Sequence, residues 1–128
     1  MPEVNIKAFV KPIPQPRPRA CINKAGTPYV YIPKPAKEYR DKLKEAAIVA
    51  MDGKEIVSTQ GLMVEVDFYR TSLPLSKVYG DLDNLLKPVL DALTGVVYDD
   101  DSRIMTVTAT KHSVKDADNE RIEIKIDW

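Results

Sequence analysis

The sequence predicts an α+β fold in which one mixed β-sheet of about four strands carries helices packed on it. Four short stretches alternate apolar and polar residues as half-buried strands do, and two longer stretches repeat apolar residues at helical spacing. Their order along the chain is β-α-β-α-β-β, which fits a single sheet with helices on it. A chain of 128 residues suits one domain with one core, so we expect residues 1–128 to form it.

Each predicted strand is a run of alternating residues bounded by turn-forming ones. The clearest is the stretch at residues 61–70, where Leu62, Val64, Val66 and Phe68 fall on one side. The predicted strands are residues 4–10, 61–70, 103–112 and 120–128, with a polar turn around 115–119 between the last two.

The two predicted helices differ in how clearly their ends are marked. The first, residues 36–51, is rich in Ala, Leu, Glu and Lys, which favour helices. The second starts after a cap at Asp83 or Asn84 and runs to about Leu93, with leucines and a valine along one stripe. Pro88 lies within it and has no amide hydrogen to bond Asn84, so the helix either begins late or bends there.

Composition excludes several classes of protein. The chain is 44% hydrophobic, as globular proteins are, and no apolar run reaches the length of a membrane span. The N-terminus lacks a signal-peptide core, and one cysteine, Cys21, rules out an internal disulfide. We therefore expect a cytoplasmic protein with no membrane partner. Cys21 and His112, the lone histidine, form no recognisable catalytic triad.

A net charge of zero hides an uneven distribution. Residues 1–60 carry 11 basic and 6 acidic residues, and residues 61–128 carry 8 basic and 13 acidic ones. The net charge is therefore +5 in the first part and −5 in the second, so the neutral total does not exclude a polyanionic partner.

The most informative stretch is residues 80–104, GDLDNLLKPVLDALTGVVYDDDSRI, which gathers six aspartates. They are Asp81, Asp83, Asp91, Asp99, Asp100 and Asp101, and only Lys87 and Arg103 offset them. Carboxylates placed close together repel each other, so a compensating positive charge is expected. A hard divalent cation suits an oxygen-only cluster, and the lack of histidine and cysteine in the stretch argues against zinc.

Spacing supports a site in this stretch. Asp81 and Asp83 are two residues apart and point to one side of an extended segment. Lys87 lies one helical turn beyond them, close enough to reach the pair or a bound phosphate. A ten-residue helix is about 15 Å long, and residues 95–101 span up to roughly 23 Å when extended. The chain is therefore long enough to bring Asp101 back beside the pair.

A purely structural interpretation competes with the metal site. Asp81 or Asp83 could serve only as a helix cap, and residues 99–101 could form only a polar turn. For any single aspartate that interpretation is the better one. The combination of D-x-D-N, a following lysine and a D-D-D patch favours a metal site.

Residues 11–37 form a basic, proline-rich arm. No acidic residue lies between Glu3 and Glu38, and the arm holds seven of the ten prolines, which exclude a helix. Its cationic residues include Lys11, Arg17, Arg19, Lys24 and Lys34. Taken alone it could be a solvated loop or a recognition ligand for another domain. Beside an acidic cluster of metal type, binding to a phosphate backbone is the stronger interpretation.

Several motifs together resemble a known family. They are PQPRPR at Pro14 to Arg19, Gly26, Y-x-P-K at Tyr31 to Lys34, Tyr39, D-x-D-N-x-x-K at Asp81 to Lys87, V-L-D-A-L-x-G after it, and D-D-S before a strand. With these motifs, which cover most of the chain, it is similar to the RusA family of Holliday junction resolvases, small and often phage-derived endonucleases. The resemblance implies a bacterial origin, in some cases a prophage.

The resemblance also implies an activity and a set of site residues. It implies Mg2+-dependent cleavage of four-way DNA junctions by a homodimer with two active sites, and Mn2+ is expected to substitute. The three catalytic, metal-binding aspartates carry over to Asp81, Asp83 and Asp101, although the register leaves Asp100 open as the third. The catalytic lysine carries over to Lys87. Arg103 stands where many members have glutamine.

Under this interpretation the arm binds the DNA backbone through Lys11, Arg17, Arg19, Lys24 and Lys34 without reading bases. Two rival functions stay open. One is a non-catalytic protein that binds DNA structures and uses the aspartates only structurally. The other is a metal-dependent phosphohydrolase acting on small nucleotides, which leaves the basic arm without a purpose.

Overall fold

The structure is a computed structural model that describes residues 2–15, 19–22, 24–31 and 34–128, without the side chains of residues 19–22 and 28–31. Its strands are β1 (Glu3–Ala8), β2 (Arg19–Ile22), β3 (Pro28–Tyr31), β4 (Leu62–Arg70), β5 (Ile104–Ser113) and β6 (Arg121–Asp127). Its α-helices are α1 (Lys34–Met51) and α2 (Leu82–Leu93), and short 3-10 turns occupy Asp101–Arg103 and Ala117–Asn119.

Four strands form one mixed sheet in the order β1-β6-β4-β5. Strand β6 pairs antiparallel with both of its neighbours, whereas β5 pairs parallel with β4. This sheet with its two helices confirms the predicted α+β class and the predicted order of elements. The hairpin of β2 and β3 lies within the basic arm and was not predicted, because its proline-rich sequence lacks clear alternation.

The core lies between one face of the sheet and the two helices. Strand β4 alternates buried and exposed residues through Leu62, Val64, Val66 and Phe68, as the pattern predicted. Helix α1 buries Tyr39, Leu43, Ala47 and Met51, and helix α2 buries Leu85, Val89, Ala92 and Leu93. No helix in the described part of the chain is long and apolar enough to cross a membrane.

Helix α2 makes the crossover between the parallel strands β4 and β5, so it runs antiparallel to them. Tyr79, just before its N-terminus, is fully buried, and its hydroxyl lies 2.7 Å from the carbonyl oxygens of Phe68 and His112 near the strands' C-terminal ends. At the other end of the helix, Val57 pairs with Tyr98 close to the start of β5. The two ends of α2 therefore lie at opposite edges of the sheet.

Tyr79 makes stability sensitive to alkaline pH. Burial raises the pKa of Tyr79 to about 12, from an ordinary value of about 10. Because the unfolded chain releases this proton first, the contribution to stability is complete below about pH 10 and lost as the pH approaches about 12. We expect the thermal unfolding midpoint to fall over this range, and less steeply in Tyr79→Phe. An identical slope in both proteins would contradict this assignment.

The start of the basic arm is fastened along the C-terminal edge of the sheet. The guanidinium of Arg70 donates to the carbonyl oxygen of Pro12 at 2.9 Å. Pro14 packs against Gly80, where an added Cβ would lie 2.9 Å from the proline Cβ. The amide of Gln15 donates to the carbonyl oxygen of Asn84 at 2.8 Å. The arm therefore leaves β1 and is anchored at the N-terminus of α2.

Pro88 explains why the Asn84 carbonyl accepts a hydrogen bond from Gln15. Helix α2 begins at Leu82 and continues through Pro88 to Leu93, so the late start is not what accommodates the proline. A proline has no amide hydrogen for the residue four positions earlier, which is Asn84. The carbonyl of Asn84 is thus left for an outside donor, and Gln15 supplies it.

We expect Pro88→Ala to loosen the arm. Replacing a proline in a helix interior normally raises the free energy of unfolding by about 3 kcal/mol. Here the new amide at position 88 competes with Gln15 for the same carbonyl, so we expect a net gain in unfolding free energy below about 2 kcal/mol. Hydrogen exchange at Gln15 should become faster, and denaturant unfolding measures the free energy. A full gain of about 3 kcal/mol in unfolding free energy, with the Gln15 amide still protected from exchange, would show that the two amides do not compete for the Asn84 carbonyl.

Candidate functional site

Asp81 and Asp83 lie together at the N-terminus of α2. Asp81 occupies the N-cap position, yet its side chain makes no capping hydrogen bond. Asp83 lies in the first turn of the helix, and both residues are exposed. The positive end of the helix dipole stabilises carboxylates placed there. The structure therefore does not support the interpretation that Asp81 serves only as a helix cap. Its carboxylate is exposed, and its oxygens are available to bind a metal ion.

Lys87 follows Asp83 by one turn of α2 and is exposed. Asp83, Lys87 and Asp91 are all exposed and lie four residues apart, so they share one face of α2 away from its buried residues. Lys87 therefore lies on the same side of the helix as Asp83 and is free to approach a phosphate bound beside it.

The turn before the acid pair carries a cation that the sequence reasoning missed. Lys111 on β5 donates from Nζ to the carbonyl oxygen of Gly80 at 2.9 Å, and its Nζ lies 5.5 Å from the centre of the Tyr79 ring. No motif or spacing marks this contact, because 31 residues separate Lys111 from Gly80. The parallel pairing of β5 with β4 places Lys111 beside Phe68, and the segment after β4 brings Gly80 back to Lys111.

The second acidic cluster is largely occupied by its own contacts. Arg103 donates to both carboxylate oxygens of Asp99 at 2.9 Å, and this pairing lowers the pKa of Asp99. The Ser102 hydroxyl donates to Asp100 at 2.9 Å and lowers the pKa of Asp100. Asp101 is exposed and takes part in neither of these bonds. The Asp101 carboxylate is therefore a better candidate than that of Asp100 for binding a metal ion. Arg103 holds Asp99 in place.

Asp101 lies at the far end of α2 from the acid pair. The Tyr98 hydroxyl donates to the carbonyl oxygen of Leu90 at 2.9 Å. Burial raises the pKa of Tyr98, and the charges of Asp101 and Asp91 raise it further. The twelve residues of α2 correspond to about 18 Å.

One chain therefore does not bring the three predicted ligands together. Among the side chains that the structure describes, no three from Asp, Glu, His or Cys lie close enough to hold a metal ion. The loop predicted to carry Asp101 back to the pair instead turns tightly, since Gly95 donates to Tyr98 and Val57 donates to Val97. Strand β5 then starts at the edge where α2 ends.

The predicted DNA-binding residues are only partly described. Lys11, Lys24 and Lys34 are exposed. Arg17 lies outside the described residues, and for Arg19 only the backbone, in β2, is described. The exposed lysines leave the start, middle and end of the arm positively charged.

Exposed carboxylates at a helix N-terminus, a nearby lysine and an anchored cationic arm are features of a nuclease that acts on the DNA backbone. A model of the family described as Endodeoxyribonuclease RusA matches residues 10–127, and the chain belongs to this family. Its members are endonucleases that resolve Holliday junctions. No curated protein matches the chain.

Proposed function

We propose that the protein is a Mg2+-dependent endonuclease that resolves four-way DNA junctions by paired nicks. The family supports cleavage of branched DNA. The observation that carries the metal site is the acid pair at the N-terminus of α2, where Asp81 stands in the cap position without capping the helix. Its carboxylate is committed to no structural bond there.

The donor chemistry of the pair fits Mg2+, which proteins hold through one or two carboxylates together with waters and substrate phosphates. Asp81 and Asp83 would hold the ion, and Asp101 would complete the set. Mn2+, which accepts the same oxygen ligands, should substitute. A bound ion supplies an activated water and stabilises negative charge on the scissile phosphate.

The other residues act on the DNA directly. Lys87 would neutralise charge that develops on the phosphate, from its position one turn along α2. Lys11, Arg17, Arg19, Lys24 and Lys34 would contact the backbone. Such contacts carry no sequence information and release counterions, so affinity should fall steeply as salt rises.

A homodimer would resolve the separation of Asp101 from the acid pair. Strand β5 is a ten-residue edge strand, and its side chains are largely exposed. Met105 is 70% exposed, and Val107, which pairs with the core-facing Val64, is 37% exposed. A long edge whose first seven residues, 104–110, carry no charged side chain is a template for pairing with another strand. A second copy of β5 is the simplest occupant.

An antiparallel pairing of two β5 strands would also join the catalytic residues. Its twofold axis would pass near the middle of the strand, so the beginning of one β5 would face the end of the other. Asp101 of the partner subunit would then approach the end of β5 where Lys111 contacts Gly80, next to Asp81 and Asp83. Two equivalent sites would result, one for each nick.

Cleavage of a synthetic four-way junction and of a linear duplex, with Mg2+, with Mn2+ and with neither, tests the proposal. We expect paired nicks in the junction, only with metal, and little cleavage of the duplex. Junction binding without cleavage under either metal would favour the non-catalytic protein. Turnover of free nucleotides with weak, salt-insensitive DNA binding would favour the phosphohydrolase.

A further inference from the structure

We infer that Lys111 is a positioning residue for the acid pair, acting through the peptide that joins Gly80 to Asp81. This inference rests on the proposed function, because it assigns Lys111 a part in the same site. Its ammonium holds the Gly80 carbonyl oxygen at 2.9 Å. That carbonyl and the Asp81 amide belong to one planar peptide, so holding the oxygen also holds the plane of the peptide and the Asp81 Cα attached to it.

The Gly80 peptide needs such a restraint. Gly80 has a φ of 93°, in the region that only glycine adopts readily. Its freedom is limited on one side by Pro14, which packs where a Cβ would stand. Lys111 limits it on the other side with a charged hydrogen bond, which is stronger than a neutral one. The two contacts hold the turn immediately before the acid pair.

The position of Lys111 also argues against a purely structural role. The turn is already fastened to β4 and β5 by the buried Tyr79 hydroxyl, 2.7 Å from two strand carbonyls. Lys111 is half-buried, and placing an ammonium there carries a desolvation cost that an apolar side chain would avoid. The ammonium contacts the residue directly before Asp81, where a positive charge would offset the negative charge of the acid pair.

The first test compares Lys111→Met with Lys111→Arg, which keeps a charged donor. For Lys111→Met we expect the single-turnover cleavage rate at saturating Mg2+ to fall about 10- to 100-fold, as for residues that orient metal ligands. Junction affinity measured in Ca2+ should change less than about twofold, since the DNA is held by the arm. Lys111→Arg should recover most of the rate. An unchanged rate in Lys111→Met, or a loss explained by weaker binding, would overturn the inference.

A chemical rescue keeps the inference testable if Lys111→Met does not fold. In a Cys21→Ser background, Lys111→Cys introduces a single thiol that bromoethylamine converts into a lysine analogue. We expect the alkylated protein to regain the cleavage rate that the unmodified one lacks. Equal rates before and after complete alkylation would contradict a role for the ammonium.

Hydrogen exchange separates this inference from the proposed function. Should the wild-type chain cut no junction, the proposed function fails, yet Lys111→Met should still speed exchange of the Leu85 amide, which donates to the Asp81 carbonyl oxygen at 3.0 Å. The amides of β4 should keep their wild-type rates, because Tyr79 still fastens the turn. Unchanged exchange of the Leu85 amide would show that Lys111 does not order the acid pair.

Discussion

Asp83→Asn is expected to abolish junction cleavage while the protein still folds and binds DNA. The substitution removes one negative charge and keeps the side-chain shape, and Asp83 is exposed, so packing does not change. Even residues that only support metal ligands change activity 10- to 100-fold, and a direct ligand should therefore cost more than about a hundredfold in rate. Single-turnover cleavage in Mg2+, with junction affinity in Ca2+, measures both properties.

Asp91→Asn is the matched control for this variant. Asp91 is also an exposed aspartate on α2, but it lies near Tyr98 at the other end of the helix. It should cut junctions at close to the wild-type rate. Retained nicking by Asp83→Asn, or an equal loss in both variants, would remove Asp83 from the catalytic set.

Val107→Lys is expected to convert a dimer into an inactive monomer. In the proposed pairing, Val107 lies near the twofold axis, so two lysines would face each other at a distance where like charges destabilise a sheet. Val107 is already 37% exposed, so the fold of one chain should survive. We expect sedimentation to show a monomer and cleavage to fall more than about tenfold, because each site would lose its partner's Asp101.

Ile48→Lys provides the comparison for this prediction. Ile48 is another apolar residue, 59% exposed, on α1 rather than on β5. It should remain dimeric and active. A dimer in Val107→Lys, or a monomer that cuts at the full rate, would rule out β5 as the interface that completes the site.

Local patterns were enough to predict most of the fold. Alternation marked β4 because one of its faces packs on the core, so every second residue had to be apolar. The stripe on α2 marked a helix for the same reason. The predicted helix start at Asp83 or Asn84 was late, since Asp81 is the N-cap. The β2–β3 hairpin escaped prediction because its proline-rich sequence lacks clear alternation.

The site was harder to predict, because its geometry depends on how distant strands pair. Chain length allowed Asp101 to return to the acid pair, but parallel pairing of β5 with β4 fixes it at the opposite end of α2. The contact between Lys111 and Gly80 comes from the same pairing. From the sequence, Pro88 was only an unfavourable residue in the helix. The structure shows that the Asn84 carbonyl, which Pro88 cannot bond, accepts a hydrogen bond from the Gln15 amide. None of these contacts leaves a periodic signal in the sequence.

A complementation experiment tests the shared site most directly. Asp83→Asn and Asp101→Asn chains would each be inactive alone, because every site in either homodimer lacks a ligand. In a heterodimer of the two, one site would combine intact Asp81 and Asp83 from one chain with intact Asp101 from the other. The account predicts that co-expressed chains, confirmed as heterodimers by native mass spectrometry, regain metal-dependent nicking of one strand. Heterodimers as inactive as the separate variants would contradict it.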